Sequence, residues 1–422
     1  MKPAIAFITP PFFWASLPLP GLGYLMDRAQ NLGFETRLFD LNLRYYKILG
    51  AMKKDWTVNR DYIQPGSMEA LHNQAPFVLE ELYSELSQGH YAYFAISLFK
   101  GNFHFADPLS KELKTRFPQV KILWGGPQLF TLYSQHKDFG SFSYVDHFVV
   151  GEGEKALEKV LSEEGERIHL FEQEKDLQDF PRYQGIDLKA YPRKGCLPIV
   201  GSRGCVNHCR FCAEKHLFKG YRFRQAEDIL SEMEFHRTNN NIGHFIFYDS
   251  LFNGHLKNLE AMCQGIIRRN LKCTWEAQIA VNNRMNGDLM ELMKAAGCVN
   301  LFIGLESGSD AVLQKMNKAF SVNEASLFLR QLSQAALQFE ISIISAFPGE
   351  EIHHHQETLD FLRHHKKFIA KIAQVSSYQE YPGTESGPAQ EEAVAVQRLK
   401  EIRTLLINEK IPFTPSYIDN LV

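Results

Sequence analysis

The chain has 422 residues and a formal net charge of −3, with 45% hydrophobic and 23% charged residues. At roughly 100–200 residues per domain, this length predicts two domains, each able to bury a core of its own. The near-neutral charge gives no sign of a nucleic-acid or membrane-surface partner. Prolines interrupt the apolar N-terminus, and no apolar run reaches the ~18 residues of a membrane span, so we expect a cytoplasmic protein without a signal peptide. The odd count of seven cysteines also argues against a disulfide framework.

Residues 1–165 alternate short apolar strands with helical patterns. The predicted strands are 4–9, 36–40, 93–98, 121–124 and 147–150. A helical pattern covers 22–33, and Gly33 suits a helix end. This alternation predicts an α/β, doubly wound Rossmann-like domain, whose parallel sheet is covered on both faces and binds ligands at the carboxyl ends of its strands.

Residues 166–195 are polar and irregular, as expected for a linker. A second alternation of strands and helices follows in residues 196–385. Its predicted strands are 197–202, 244–248, 274–278, 299–303, 340–346 and 373–378. Six such units predict a complete or partial α/β barrel with its chemistry at the strand ends. The tail, 386–422, offers one helix over about 390–408 and then an irregular end.

Cys205, Cys209 and Cys212 lie just after the first strand of this second region, with the spacing C-x3-C-x2-C. Three thiolates on one loop can hold three irons of a four-iron cube and leave the fourth iron open. The same residues allow a second interpretation, in which His208 or His216 completes a structural zinc site in a non-catalytic binding protein. Zinc ribbons usually present paired cysteines, however, and no second pair occurs here.

The motif CVNHCRFC resembles the signature of the radical S-adenosylmethionine (SAM) superfamily. Four downstream motifs occur in the order expected for that family: FYDSLFNG at 247–254, AAGCVNLFIGLESGSDAVLQKMNK at 295–318, AFPGEE at 346–351 and YPGT at 381–384. The resemblance implies a partial (β/α)6 radical SAM barrel and a [4Fe–4S] cluster on the three cysteines. It also implies reductive cleavage of SAM to a 5′-deoxyadenosyl radical, with electrons from an external donor such as flavodoxin or ferredoxin.

The resemblance also assigns residues to the SAM site. The implied SAM-binding residues are Phe211, Phe247, Tyr248, Asp249, Gln278, Glu306, Ser307, Pro348 and Gly349. The candidates for a catalytic role are Tyr248, Asp249 and Tyr381. Each of three residues keeps a structural alternative: Asp249 as a helix N-cap, Glu306 in a buried ion pair, and Tyr381 in core packing.

The N-terminal region resembles the cobalamin-binding domain that precedes the barrel in one large subfamily. The matching motifs are LPLPGLGYL at 17–25, AISLF at 95–99, WGGP at 124–127 and VVGEGEKAL at 149–157. The implied cobalamin-binding residues are Ser97, Leu98, Gly125, Gly126, Pro127, Gly151, Glu152 and Gly153. A large side chain at Gly126 is expected to block the nucleotide tail of the cofactor.

The D-x-H-x-x-G loop of many cobalamin domains is absent from this sequence. We therefore expect cobalamin bound with its base displaced and with no protein histidine below the cobalt. The alternative is a Rossmann-like domain that only shapes the substrate pocket.

The resemblance predicts methylation of an unactivated carbon in a small-molecule or natural-product substrate. A non-methylating rearrangement, cyclisation or oxidation is the alternative within the same superfamily. Outside these motifs, His353, His354 and His355 are expected to lie on a solvated helix face.

Overall fold

The computed structural model describes residues 3–49, 56, 64–135, 137–162 and 166–414. The chain divides into two compact units, Met1–Lys194 with His216–Lys219 and Gly195–Lys215 with Gly220–Val422. Within the described ranges, every helix is too short or too polar to cross a membrane.

The first unit is built on a six-stranded parallel sheet. Its strands are β1 (Ala4–Thr9), β2 (Glu35–Asp40), β3 (Tyr91–Ser97), β4 (Lys121–Gly125), β5 (His147–Val150) and β6 (Ile168–Leu170). Its helices are α1 (Pro20–Asn31), α2 (Leu41–Ile48), α3 (Ser67–Gln74), α4 (Phe77–Ser87), α5 (Phe103–Arg116), α6 (Gln128–Gln135) and α7 (Glu154–Leu161). The spatial order of the strands is β2-β1-β3-β4-β5-β6.

All five strands predicted for this region are confirmed. The prediction of an irregular segment after residue 165 was wrong for β6, which pairs with β5 at the edge of the sheet. Three residues are too few to show the alternation of polar and apolar side chains that reveals a longer strand.

The strand order reverses between β1 and β3, and this reversal places helices on both faces of the sheet. Ile5 and Phe7 pack with α1 and α7 in one buried cluster, whereas Ala6 and Ile8 belong to the other, larger cluster. Successive side chains of one strand therefore enter different cores, because they point to opposite faces of the sheet. The predicted doubly wound fold is confirmed.

Local sequence signals set the limits of several helices. Pro20 opens α1, where its missing N–H costs nothing, and Gly33 follows the helix with a φ of +90°. In the second unit, Ser321 and Glu324 form a reciprocal capping box at the start of the helix Val322–Gln334.

The second unit contains another six-stranded parallel sheet and a short hairpin. The sheet strands are β7 (Cys196–Ile199), β10 (His244–Phe247), β11 (Thr274–Ile279), β12 (Cys298–Glu306), β13 (Phe339–Ser345) and β14 (Lys371–Ser377), and the antiparallel hairpin is β8 (Ser202–Arg203) with β9 (Arg222–Phe223). The four-residue helix α8 (Glu214–Leu217) follows the cysteines. The other helices are α9 (Ala226–Asn240), α10 (Leu256–Arg268), α11 (Gly287–Ala295), α12 (Asp310–Lys315), α13 (Val322–Gln334), α14 (Ile352–His365) and α15 (Glu392–Asn408).

The strands of this second sheet follow one another in sequence order, from β7 through β10 to β14. Right-handed crossovers between strands in sequential order place the connecting helices on one face of the sheet. In β11, Trp275, Ala277 and Ile279 are buried, whereas Glu276 and Gln278 point to the opposite, more exposed face. The unit is thus the predicted partial barrel, with a helical outer layer and an accessible inner face.

Two local predictions were wrong. The first barrel strand ends at Ile199, and Ser202 begins a separate hairpin instead of continuing it. His354 and His355 are buried, because α14 packs against α15. The His355 imidazole lies 3.1 Å from the Glu401 carboxylate, and its burial lowers its pKa. Of the three histidines, only His353 is solvated as expected.

Candidate functional site

The three cysteines lie on the loop between the strands of the β8–β9 hairpin. All three thiols are half-buried, and the Cys212 N–H donates to the Cys209 carbonyl at 3.3 Å. Burial raises the pKa of Cys212 to about 11, and the charges of Cys209 and Cys205 act in the same direction. The positive charge of an iron–sulfur core would offset this resistance to ionisation, because the core binds the cysteines as thiolates. The residues therefore fit such a cluster.

The arrangement fits a single metal ion less well. Among the described residues, no three Cys, His, Asp or Glu side chains are grouped so that they could hold one ion. A tetrahedral zinc draws its thiolate ligands to about 2.3 Å from one centre, whereas a four-iron cube spreads them over separate corners. The zinc interpretation therefore has no grouped set of ligands among the described residues.

Hydrogen bonds to backbone groups of the cysteine loop fix it to the rest of the barrel unit. The Arg210 N–H donates to the Met316 carbonyl at 3.0 Å, and the Asn317 amide donates to the His208 carbonyl at 2.7 Å. The Glu385 N–H, from the segment after β14, donates to the Arg210 carbonyl at 2.9 Å. The loop therefore lies at the carboxyl ends of β12 and β14, the edge at which barrel enzymes bind their ligands.

Phe211, between the second and third cysteines, packs into this edge. It contacts a small buried cluster that contains Phe347 and Tyr378, which follow β13 and β14. The centroids of the Phe211 and Phe347 rings are 6.2 Å apart in an edge-on arrangement. The side chain predicted to bind SAM thus also anchors the loop.

Glu306 ends β12 with a left-handed φ of +73°, a conformation that is uncommon for a residue other than glycine and is concentrated at functional sites. Its carboxylate accepts from the Ser342 hydroxyl at 2.9 Å and lies 3.3 Å from the Lys318 ammonium. The buried ion pair considered for Glu306 is therefore present. The ammonium also lies 5.4 Å from the centre of the Phe211 ring.

Lys318 is a site residue that sequence reasoning did not single out. Its side chain is 10% exposed, and its charge lowers the pKa values of Cys205 and Cys209 against the larger effect of their burial. In the sequence, Lys318 could have been identified as a candidate site residue by its position at the end of the 295–318 motif. A largely buried lysine whose charge acts on Cys205 and Cys209 is a cation placed where an anionic ligand group could reach it.

Other predicted SAM residues have internal partners. The Ser307 hydroxyl lies 3.1 Å from the Thr358 hydroxyl on α14 and accepts from the Ser309 N–H. Phe247 is buried, with its ring centroid 4.0 Å from that of Phe252. Three predicted residues are accessible, namely Tyr248, Gln278 and Gly349, and Pro348 is half-buried.

Asp249 is almost completely buried, with 2% of its surface exposed. Its carboxylate accepts from the Gly201 N–H at 2.9 Å and from the Ser202 hydroxyl, and burial raises its pKa to about 7. The N-cap alternative for Asp249 was wrong, since the cap of α10 is His255.

Tyr381 is 39% exposed, so the core-packing alternative for this residue was also wrong. Partial burial and then the charge of Cys212 raise the pKa of Tyr381. The phenol therefore lies near the last cysteine of the loop.

The inner face of the barrel sheet carries polar side chains that sequence reasoning also missed. The His244 imidazole lies 2.8 Å from the Thr274 hydroxyl and 3.2 Å from the Glu276 carboxylate. On neighbouring strands, Lys371 and Glu340 approach to 3.6 Å. In the sequence, these residues could have been identified by alternation, because polar residues occupy the positions between buried ones along each strand and so share one face of the sheet.

In the first unit, the predicted cobalamin residues lie at the carboxyl ends of three strands. Ser97 ends β3 and Leu98 follows it; Gly125 ends β4 and is followed by Gly126 and Pro127; and Gly151, Glu152 and Gly153 follow β5. Leu98 and Glu152 are buried, whereas Pro127 is exposed. This edge is where doubly wound sheets bind ligands.

The four glycines at this edge differ in the space around them. A Cβ at Gly125 would meet only the Val149 side chain, at 3.9 Å, so this position leaves room for a ligand. A Cβ at Gly126 would lie 2.5 Å from the Leu98 carbonyl oxygen. The approach is less severe at Gly151 and Gly153, where a Cβ would lie 3.2 Å from the Phe171 Cα and 3.0 Å from a Leu25 methyl carbon. A large side chain at Gly126, expected to block the nucleotide tail, would therefore also displace the backbone at Leu98, just after β3.

The loop after β1 is joined to the loop after β3 at the point where the strand order reverses. Asn102 is buried and donates to the carbonyls of Pro10 at 3.2 Å and Ser97 at 2.9 Å. The rings of Phe13 and Phe99 stack with centroids 5.0 Å apart. Hydrogen bonds and a stacked pair of aromatic rings therefore connect the two loops at this part of the edge.

Comparisons with known proteins agree with this geometry. Residues 199–362 match the family model of the Radical SAM superfamily. The anaerobic magnesium-protoporphyrin IX monomethyl ester cyclase of Rubrivivax gelatinosus is 24% identical over 163 residues, which are 38% of this chain and 29% of the cyclase. The hopanoid C-3 methylase of Methylococcus capsulatus is 25% identical over 343 residues, 74% of this chain and 64% of the methylase. The chain thus spans less than two thirds of the length of either relative.

Among solved structures, the radical SAM methyltransferase TsrM of Kitasatospora setae, with cobalamin and a [4Fe–4S] cluster bound, superposes with a TM-score of 0.65. The alignment covers 91% of this chain and 77% of TsrM at 15% identity, a level at which the likeness concerns the fold. Together with the family match, it confirms the resemblance noted in the sequence. Residues 199–362 are thus similar to the Radical SAM superfamily, and the chain as a whole has the fold seen in TsrM.

Proposed function

We propose that this protein is a cobalamin-dependent radical SAM enzyme that methylates an unactivated carbon of a small molecule. The observation that carries the proposal is the loop that holds three half-buried thiols at the carboxyl edge of the barrel sheet, in the same unit as the Glu306–Lys318 ion pair. We assign residues 1–165 to cobalamin binding, 166–195 to a linker, 196–385 to the radical SAM barrel and 386–422 to a C-terminal tail.

Cys205, Cys209 and Cys212 would hold the cluster, which together with SAM would supply a radical able to abstract hydrogen from carbon. Lys318 offers its ammonium to the carboxylate of SAM, and Glu306 keeps that ammonium in place. Tyr248, Gln278 and Gly349 are accessible for further contacts, and Tyr381 lies near Cys212. The electron would come from an external donor such as flavodoxin or ferredoxin, as the resemblance to the family implies.

For cobalamin, Gly125 leaves space at the carboxyl edge of the first sheet, with the half-buried Ser97 at the end of the neighbouring strand. The residues fit the cofactor there. The methylase among the relatives and the methyltransferase among the structural neighbours support a methyl transfer.

The second candidate is a radical reaction without methyl transfer. The cyclase relative favours it, since cyclisation is a different outcome on the same type of domain. Product analysis distinguishes the two candidates, because only methylation transfers label from SAM that carries a labelled methyl group.

The test is anaerobic reconstitution with iron and sulfide. The wild-type protein should bind about four irons, bind hydroxocobalamin in a base-off form, and convert SAM to 5′-deoxyadenosine when given dithionite. The matched control is the substitution of Cys263, Cys273 and Cys298 by Ala, since these three cysteines lie outside the loop.

Replacing Cys205, Cys209 and Cys212 together by Ala should abolish iron binding and SAM cleavage. Full iron retention in that variant, or a stoichiometric zinc content in the wild type, would overturn the cluster assignment. A wild type that takes up no cobalamin would reduce the first domain to a scaffold and remove the methyl-transfer proposal.

A further inference from the structure

The hairpin that carries the cysteine loop is too short to define its own conformation. It contains two paired positions, Ser202 with Phe223 and Arg203 with Arg222. Even longer isolated two-stranded hairpins are only marginally stable in water. Something else must therefore hold the two ends of the loop.

Residues 249–255, which we call the cradle segment, contact the outgoing strand of this hairpin. Asp249 accepts from both the Gly201 N–H and the Ser202 hydroxyl, and the same hydroxyl lies 3.3 Å from the Leu251 carbonyl oxygen. A Cβ on Gly201 would lie 3.2 Å from the Asp249 carboxylate, so glycine is what allows this approach. The cradle segment thus fixes the chain just before the first cysteine.

The cradle segment also contacts the returning strand. The ring of Phe223 stacks on the His255 imidazole, with centroids 4.2 Å apart. The Tyr221 ring occupies the space beside Gly254, where a Cβ would lie 2.5 Å from it. Both sides of the hairpin are therefore packed on one segment.

A third contact reaches the loop beyond its last cysteine. The Ser250 hydroxyl donates to the carboxylate of Glu214, two residues after Cys212. Successive residues of the cradle segment, Asp249 and Ser250, thus hold the loop before its first cysteine and after its last one.

We infer that Asp249 and Ser250 are positioning residues that set the conformation of the cysteine loop around its cluster. The inference rests on the proposed cluster and gives Asp249 a role other than contact with SAM. An ionised carboxylate accepts at both oxygens, whereas an amide would turn its NH2 group toward one of the two donors. The cavity that Asp249 lines has a volume of about 10 Å³, room for one water molecule and too small for a cofactor group.

Asn253 provides a matched control within the same segment. It is also buried, and its side chain accepts from the Ala280 N–H at 3.0 Å and donates to the Ala280 carbonyl at 2.8 Å and to the Met285 sulfur at 3.8 Å. Ala280 follows β11 and lies outside the hairpin. Loss of the Asn253 side chain should therefore destabilise the fold without releasing the loop.

The experiment compares Asp249→Ala, Ser250→Ala and Asn253→Ala with the wild type after anaerobic reconstitution. The readouts are the rate of iron transfer to an excess of a ferrous chelator and the midpoint potential of the cluster by electron paramagnetic resonance titration. The two loop variants should still bind about four irons but should release them about tenfold faster, since each loses buried or charge-assisted hydrogen bonds. Their midpoint potentials should shift, whereas Asn253→Ala should match the wild type in both readouts.

Wild-type release rates in Asp249→Ala and Ser250→Ala would overturn the inference while leaving the cluster intact. Equal acceleration in Asn253→Ala would also overturn it, because a general loss of stability would then explain the result. Failure of the wild type to bind iron would instead refute the proposed function. If Asp249→Ala does not fold, Ser250→Ala decides the outcome, since its hydroxyl is only half-buried.

Discussion

The two sheets of this protein have the same number of strands and the same parallel pairing, but they expose their side chains differently. In β1, every residue from Ile5 to Thr9 is buried, because helices cover both faces. In β11, buried and accessible residues alternate, because the helices lie on one face. The strand order accounts for the difference, since it reverses once in the first sheet and never in the second. A sheet with one uncovered face can present polar side chains along the whole length of its strands. A sheet covered on both faces can present them only at the ends of its strands.

The largest loss of stability should occur when Asn replaces buried strand residues. Two neighbouring residues in one strand of each sheet are compared. Phe7→Asn and Ile8→Asn in β1 should each lower the free energy of unfolding by about 3–5 kcal/mol, since both side chains are buried. In β12, Ile303→Asn should cost a similar amount, whereas Phe302→Asn on the inner face should cost about 1 kcal/mol. Denaturant unfolding measures all four. A cost at Phe302 equal to that at Ile303 would contradict an accessible inner face.

The second effect concerns the ion pair at the end of β12. Glu306→Gln should lower the free energy of unfolding by about 3 kcal/mol, because it leaves the Lys318 ammonium without its carboxylate in a site where both side chains are 10% exposed. The double variant with Lys318→Met should recover most of that stability. It should not recover SAM affinity, measured by equilibrium dialysis. Full affinity in the double variant would remove both residues from the SAM site.

The third effect separates two adjacent glycines of the first sheet. Gly126→Ala should destabilise the protein by about 2 kcal/mol, because its φ is +103° and its Cβ would meet the Leu98 backbone. Gly125→Phe should leave the melting temperature nearly unchanged and abolish hydroxocobalamin uptake, which is measured by absorbance after gel filtration. Normal uptake by Gly125→Phe would show that the cofactor does not approach this edge.

The smallest effect is a pH dependence at the buried carboxyl of the second unit. The folded-state pKa of Asp249 is raised from 3.8 to about 7, so the folded protein binds the extra proton between these values. The stability contributed by this proton is lost as the pH rises through 7. Between pH 5.5 and 8, the stability of the wild type relative to Asp249→Asn should fall by about 1–2 kcal/mol. A constant difference would show that Asp249 does not titrate in this range.

Much of the fold could be predicted because the strands are apolar runs between helical patterns. All five strands predicted in the first unit and the six of the barrel are present, although the first barrel strand stops at Ile199. The three-residue β6 carries too little pattern to be recognised. His354 and His355 were misplaced, because a run of histidines gives no indication that α15 will cover it.

The sequence by itself determined the chemistry available to this protein. The spacing of Cys205, Cys209 and Cys212 and the order of the downstream motifs depend on neighbouring residues along the chain, and they indicated an iron–sulfur site before any fold was known. Tertiary structure alone decided which side chains surround that site. Lys318 pairs with Glu306 and reaches Phe211, and Asp249 accepts hydrogen bonds from Gly201 and Ser202. The reason is physical, because burial and electrostatic pairing depend on distances between residues far apart in sequence, and only the folded chain sets those distances.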